Sequence, residues 1–241
     1  MALPKIATPT YELSLPSSGE KVEYRPFLVK EEKLLLMAME SGEQKEIANT
    51  VKKLISNCTN DKLKIDDLPM FDIEYLFMQL RIKSVEDTVE INPKCNKCGE
   101  SVKMKMDLKK VQVVKPKGKI DFNISLTSDI GLTMKYPTLD MMSDMKPGDE
   151  AKSDFIFNTI GKCVESVYDN EQVYNDFSKK ELDDFIDSLP QDQFKKVTEF
   201  FDKMPKLKHD IKFNCPSCKH ENSIELSGLQ DFFESPSPIT A

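Results

Sequence analysis

Four cysteines in two pairs are the residues of this chain whose type and spacing could do chemistry. Cys95 and Cys98 lie in "VEINPKCNKCGESVKMKM" (89–106), and Cys215 and Cys218 lie in "DIKFNCPSCKHENSIEL" (210–226). Each Cys-x-x-Cys turn can aim two sulfurs at one ion. Four thiolates close the tetrahedral shell of a structural Zn²⁺ and leave no open position for a substrate. A redox pair of this spacing opens a helix, where the dipole lowers the thiol pKa. Here both pairs sit between runs that alternate apolar and polar. Val89 and Ile91 precede the first pair, and Val102, Met104, Met106 and Leu108 follow it; Ile211 and Phe213 precede the second, and Ile224 and Leu226 follow it. Strand, tight turn, strand is the zinc-knuckle arrangement. Gly99 suits the dihedrals such a turn demands, whereas Lys219 holds that place in the second knuckle and makes the match imperfect.

Far more chain separates Cys98 from Cys215 than an ordinary zinc ribbon carries, so the second knuckle must return to the first after most of a domain has been built. A reversible dithiol or plain buried thiols remain open alternatives to the metal. His220 could replace a sulfur, while His209 reads as a surface histidine. Cys58 and Cys163 fall in helical patterns and read as small core residues.

The chain has 241 residues, room for one sizeable domain or two modest ones, and is 39% hydrophobic, enough for a core. With 31% charged residues and a mean hydropathy of -0.45 it does not read as a membrane protein. No apolar run reaches the roughly 18 to 20 residues that span a bilayer. The start "MALPKIATPTYELSL" lacks the basic and apolar regions of a secretory signal, so the chain is expected to stay in a cytoplasm. Structural disulfides are rare there, which favours metal for the paired cysteines.

A net charge of -7 argues against general nucleic-acid binding, whose affinity comes from basic groups meeting phosphates. The exception is Lys94 to Lys119, nine lysines against Glu100 and Asp107. Arg25 and Arg81, the chain's two arginines, lie outside that stretch, which argues against base-specific readout. There is no phosphate-binding loop, Gly-x-Gly-x-x-Gly, His-Glu-x-x-His or Gly-x-Ser-x-Gly. Asp66-Asp67 reads as a helix start and Asp183-Asp184 as a wet helix face, rather than as Mg²⁺ ligands. The chain does not read as an enzyme.

The elements that must position the cysteines follow from periodicity. "YELSLPSSGEKVEYRPF" is a β-hairpin, with Tyr11, Leu13 and Leu15 alternating before the turn at Pro16 to Gly19, and Val22 and Tyr24 after it. "VKEEKLLLMAME" is a helix ended by Ser41-Gly42, and "EQKEIANTVKKLISNCT" a second with Ile47, Val51, Leu54 and Ile55 on one face. "DDLPMFDIEYLFMQLRI" carries Pro69 in its first turn and is apolar nearly all round, as the most buried helix of this half would be. Beyond the first knuckle, Ile120, Phe122, Ile124 and Leu126, then Leu132, Met134 and Tyr136, predict a second hairpin. Residues 151–168 predict a helix striped by Ile156, Ile160, Val164 and Val167. Ser178 and Glu181 form a capping box before Leu182, Phe185, Ile186 and Leu189; Pro190 ends that helix, and Phe194, Val197, Phe201 and Met204 mark the next.

The predicted class is therefore α+β: a helical N-terminal part, antiparallel hairpins with a zinc ribbon split into two knuckles, and a helical hairpin in the long insertion. The expected division is 1–86, 87–228, and a tail at 229–241 that is partly disordered. One stretch holds more apolar side chains than one helix face can bury. "RPFLVKEEKLLLMAM" (25–39) packs Phe27, Leu28, Leu34, Leu35, Leu36, Met37 and Met39 together. Phe27, Leu34, Leu35, Leu36 and Met37 are the candidate partner contacts, unless the helix at 70–82 covers them. The 12 methionines and 14 phenylalanines suit adaptable partner surfaces or simple core filling.

The block "LPSSGEKVEYRPFLVKEEKLLLMAMESG" (15–42), the cysteine pairs and "GLTMKYP" (131–137) resemble the baseplate hub assembly proteins of T-even-type contractile-tail bacteriophages. The resemblance spans nearly the whole chain except the tail and brings no catalytic motif. It implies an assembly factor or component of the central baseplate hub. The partners would be hub and tail proteins, met in the host cytoplasm or in the virion. The competing expectation, from Lys94 to Lys119, is a zinc-ribbon nucleic-acid or transcription accessory protein.

Overall fold

The computed structural model describes residues 6–115, 118, 120–143 and 152–227. The tail at 229–241, with its expected disorder, lies outside them. Among the described residues the fold is mixed: seven α-helices and four small antiparallel sheets.

The N-terminal hairpin pairs β1 (Tyr11–Ser14) with β2 (Lys21–Tyr24), Leu13 opposite Val22. Leu13, Leu15, Val22 and Tyr24 turn inward while the residues between them stay wet. Helix α1 (Val29–Ser41) has no side-chain cap from Leu28; instead the Glu31 carboxylate accepts the Leu28 N–H. It ends at Gly42, whose φ of 70° is the left-handed conformation that glycine adopts without a Cβ penalty. Helix α2 (Gln44–Cys58) buries Val51, Leu54 and Ile55 on the expected face. Helix α3 (Met70–Ser84) follows Pro69 and buries seven residues around its circumference.

The six apolar residues among those seven of α3 serve three separate packing groups. Ile73, Leu76, Phe77 and Leu80 complete the N-terminal core. Met78 reaches the core behind the cysteine-bearing strands. Phe71 packs edge-on against Tyr136, 5.1 Å between centroids, at the border of the third core. Asp72, fully buried, accepts from the backbone N–H and hydroxyl of Ser17 and so ties the hairpin turn to this helix.

The cysteine pairs are carried by two antiparallel ribbons. β3 (Thr88–Ile91) pairs with β4 (Met104–Asp107) across the first turn. Next come β5 (Gln112–Val114), β6 (Asn123–Ser125) and β7 (Gly131–Met134), then α4 (Leu139–Ser143) and α5 (Lys152–Cys163). β8 (Val164–Tyr168), β9 (Val173–Tyr174), α6 (Lys179–Asp187) and α7 (Gln191–Asp202) complete the insertion. β10 (Lys206–Asn214) pairs with β11 (Glu221–Ser227) across the second turn, and β5 adds to β10 with Val114 opposite Lys206. The chain leaving the first knuckle through β4 thus joins the sheet of the second at its next strand, β5. Met78, Val89, Ile91, Met106, Leu108, Val111, Leu207 and Ile211 pack together behind both.

The insertion corrects one expectation. The helix predicted over 151–168 ends at Cys163, and Val164–Tyr168 is a strand beside β7. Val164 and Ser166 are buried while Glu165 is exposed, the period-two alternation of a half-buried strand. Ile160 is buried as the stripe requires, but Ile156 is 46% exposed. The capping box of Ser178 and Glu181 forms as read. In α7 Val197 is buried as the stripe requires, but its second fully buried residue is Phe200 rather than Phe201.

Candidate metal centre

The two turns repeat one backbone pattern. The Cys95 N–H donates to the Glu100 carbonyl at 2.8 Å and the Gly99 N–H to the Cys95 carbonyl at 2.9 Å. In the second turn the Cys215 N–H donates to the His220 carbonyl and the Lys219 N–H to the Cys215 carbonyl, both at 2.9 Å. Gly99 has φ 74° and Lys219 has φ 58°. Lys219 thus accepts the same left-handed conformation against the preference of a side chain with a Cβ. The mismatch in sequence is not a mismatch in shape.

All four cysteine sulfurs lie within 4.8 Å of one another. Cys95 Sγ is 3.7 Å from Cys218 Sγ, and Cys98 Sγ is 3.6 Å from Cys215 Sγ. A disulfide needs about 2.05 Å. Four sulfurs about 2.3 Å from a common Zn²⁺ would stand about 3.8 Å apart. The cluster therefore has the size of a tetrahedral thiolate site and could hold a metal ion. His220 contributes its backbone carbonyl to the turn, and its ring is not one of the clustered ligands.

Burial grades across the site, with Cys95 and Cys215 buried, Cys218 half-buried and Cys98 exposed. Burial alone would raise the Cys95 thiol. The N–H groups of Cys98 and Lys97, the Asn222 amide and the Cys218 thiol outweigh it and hold Cys95 down to about 6. At Cys98 the Glu100 N–H favours the thiolate, but the Cys218 sulfur, burial, and the sulfurs of Cys215 and Cys95 push it up to about 12. Four sulfurs this close cannot all be charged unless a cation sits among them. Cys58 and Cys163 are fully buried and stand apart from the cluster. Burial pushes them up to about 11 and about 12 respectively, as suits inert core thiols.

Sequence reasoning missed Asn222. It is 1% exposed, and its side chain touches both knuckles. The signal available was a polar residue in phase with Ile224 and Leu226, on the inward side of an alternating strand.

The predicted partner contacts separate. Phe27 is 7% exposed and belongs to the N-terminal core, so it is not part of an outer face. Leu35 and Leu36 are half-buried, Leu35 against that core. Leu34 and Met37 are 57% and 55% exposed. They line a groove of about 550 Å³ between α1 and α2, with Glu43, Lys53 and Asn57 on its walls. Helix α3 does not cover these two side chains.

In the lysine-rich stretch Lys109 pairs with Asp87, and Lys105 lies 3.9 Å from Glu90. Lys117 and Lys119 lie outside the described residues. Asp66 pairs with Lys52 beside a short 3₁₀ turn, and Asp183 with Lys179 along α6. Among the described residues no helix is long and apolar enough to cross a membrane.

A family model described as T4 bacteriophage base plate protein matches residues 8–234, most of the chain. No curated protein and no solved structure matches.

Proposed function

The chain belongs to the T4 bacteriophage base plate protein family, and on that premise we propose that it is a non-enzymatic hub component or hub assembly factor. It acts by binding other tail proteins, and one structural Zn²⁺ held by Cys95, Cys98, Cys215 and Cys218 staples it. The observation that carries the metal part is the spacing of the sulfurs, 3.6 and 3.7 Å across the knuckles. Four thiolates fill a tetrahedral shell, so the ion has no position left for a reacting water and its work is structural. Elemental analysis of protein purified without chelator should return one zinc per chain. A metal-free, fully reduced and folded protein would overturn that part.

The tail-protein part is supported by the exposed apolar side chains of α1. Leu34 and Met37, flanked by Leu35 and Leu36, leave an apolar strip beside a groove, as partner sites do. The variant Leu34→Glu with Met37→Glu should keep its circular dichroism spectrum and fail to complement tail assembly. Normal assembly by a folded variant would remove this surface from the proposal. Mass spectrometry of virions beside tail-assembly intermediates distinguishes a resident hub protein from a factor that acts in the host cytoplasm and leaves.

The nucleic-acid alternative has less support. Lys105 and Lys109 face carboxylates, and the chain as a whole is negative. A real phosphate-binding site loses affinity steeply with salt. We expect no binding to DNA or RNA even at low salt.

A further inference from the structure

The two knuckles align residue by residue. Cys95 corresponds to Cys215, Cys98 to Cys218, Gly99 to Lys219 and Glu100 to His220, and the first, third and fourth of these pairs make the same backbone bonds. In this register Asn222 corresponds to Val102, and Asn96 to Pro216. Both departures from symmetry meet in one contact. Asn222 Oδ1 accepts the Asn96 backbone N–H at 2.9 Å, while its Nδ2 donates to the His220 carbonyl at 3.0 Å and to Cys95 Sγ at 3.6 Å. The partners fix the amide orientation: a backbone N–H needs the oxygen, and a carbonyl needs the NH₂. The reverse brace cannot form, because Val102 has no amide and Pro216 has no N–H to give.

We infer that Asn222 is a positioning residue that joins the two knuckles before the ion arrives and orients Cys95 for it. The part that concerns metal affinity rests on the metal reading above; the brace itself does not. The shared core and the β5–β10 pairing bring the two ribbons together, and the Asn222 contact fixes the turns themselves, whose cysteines lie 117 and 123 positions apart in the chain, against each other. A preassembled site avoids ordering them at the moment of binding. Groups that hydrogen-bond a ligand atom are worth about 10- to 100-fold in metal affinity.

The test borrows each knuckle's own solution for the other. Asn222→Val copies Val102 and removes the whole amide. Asn96→Pro copies Pro216 and removes only the N–H that reaches Oδ1, at an exposed position. Asn96→Ala keeps that N–H and serves as control. Reduced, full-length protein is titrated with Co²⁺ by its sulfur-to-metal charge-transfer band, and amide exchange over 95–99 and 215–222 is followed without metal. Asn222→Val should bind Co²⁺ about 10- to 100-fold more weakly, with a shifted band and faster exchange in both turns. Asn96→Pro should speed exchange and weaken binding by less, with the band unmoved because the bond to Cys95 remains. Asn96→Ala should match wild type. If both Asn222→Val and Asn96→Pro match wild type in affinity, band and exchange, the inference fails and the metal reading stands. If wild type takes up no Co²⁺ yet the exchange differences appear, the metal reading fails and the brace stands. Should Asn222→Val not fold, Asn96→Pro decides the question alone: unchanged exchange and affinity overturn it.

Discussion

Stripping the proposed Zn²⁺ should cost this protein a specific and calculable amount of stability. Bonds across the proposed ion would tie residues 117 and 123 positions apart. A cross-link closing a loop of that size removes about 5 kcal/mol of unfolded-chain entropy at 25 °C. That is a large fraction of the roughly 5–15 kcal/mol by which a folded domain exceeds its unfolded chain. The loss should nevertheless stop short of the collapse seen when an isolated zinc finger loses its metal. Behind the knuckles Val89, Ile91, Met106, Leu108, Leu207 and Ile211 pack on Met78 whether or not an ion is present. For a chain of this size, about 5 kcal/mol lowers the melting temperature by about 10–20 °C. The assay is urea and thermal unfolding of metal-loaded, chelator-stripped and Cys215→Ser protein, with amide exchange to locate the loss. Exchange should quicken over 89–110 and 210–226 together, since each knuckle orders the other. If loaded and stripped protein share one midpoint and one exchange pattern, the ion is a passenger and the cross-link argument is wrong.

Glu31 gives a second handle, on the acid side. It is 2% exposed; burial pushes its carboxyl up, but Arg25, bonding at 2.7 Å and 3.2 Å, and the Leu28 N–H outweigh that and hold it below its ordinary 4.5. Its contribution is therefore complete above the unfolded value and lost as pH falls through the folded one. Glu31→Gln should cost about 3 kcal/mol at neutral pH and flatten the acid limb of a stability-versus-pH curve. At the second knuckle, Lys219→Gly should raise stability by about 0.5–1 kcal/mol, because φ 58° strains any residue with a Cβ. An unchanged urea midpoint would show that the turn carries no such strain.

What was legible in the sequence depended on whether the deciding force was local. The first hairpin, α2 and the Ser178 capping box are written in neighbouring residues, and they form as read. The convergence of the cysteine pairs was legible too, because a half-site with two sulfurs is incomplete without its other half. The strand at Val164–Tyr168 was not. Ile156, Ile160, Val164 and Val167 fit a helical stripe that runs straight past Gly161, and what decides where the period changes is the free edge of β7. The same holds for β5, three residues whose only reason to extend is β10, far along the chain. Phe27 and Leu28 show a finer limit. Adjacent apolar residues at a helix entry must point in different directions, and only the tertiary packing settles that Phe27 goes in at 7% exposure while Leu28 stays out at 39%.

Helix α3 decides how far the two halves of the proposal depend on each other. Its Ile73, Leu76 and Leu80 hold the core on which α1 and α2 rest, while Met78 on another side packs against the strands that carry the cysteines. The α1–α2 groove touches no residue of those strands. Loosening the knuckles removes partners from Met78 and leaves the N-terminal core with its own buried leucines, aromatic rings and the Arg25–Glu31 pair. The strip at Leu34 and Met37 should therefore outlast the metal. An assembly defect in a metal-free protein that still presents this strip would place a second partner surface on the cysteine-bearing sheet. A defect caused by changing Leu34 alone would place the contact on the helix pair.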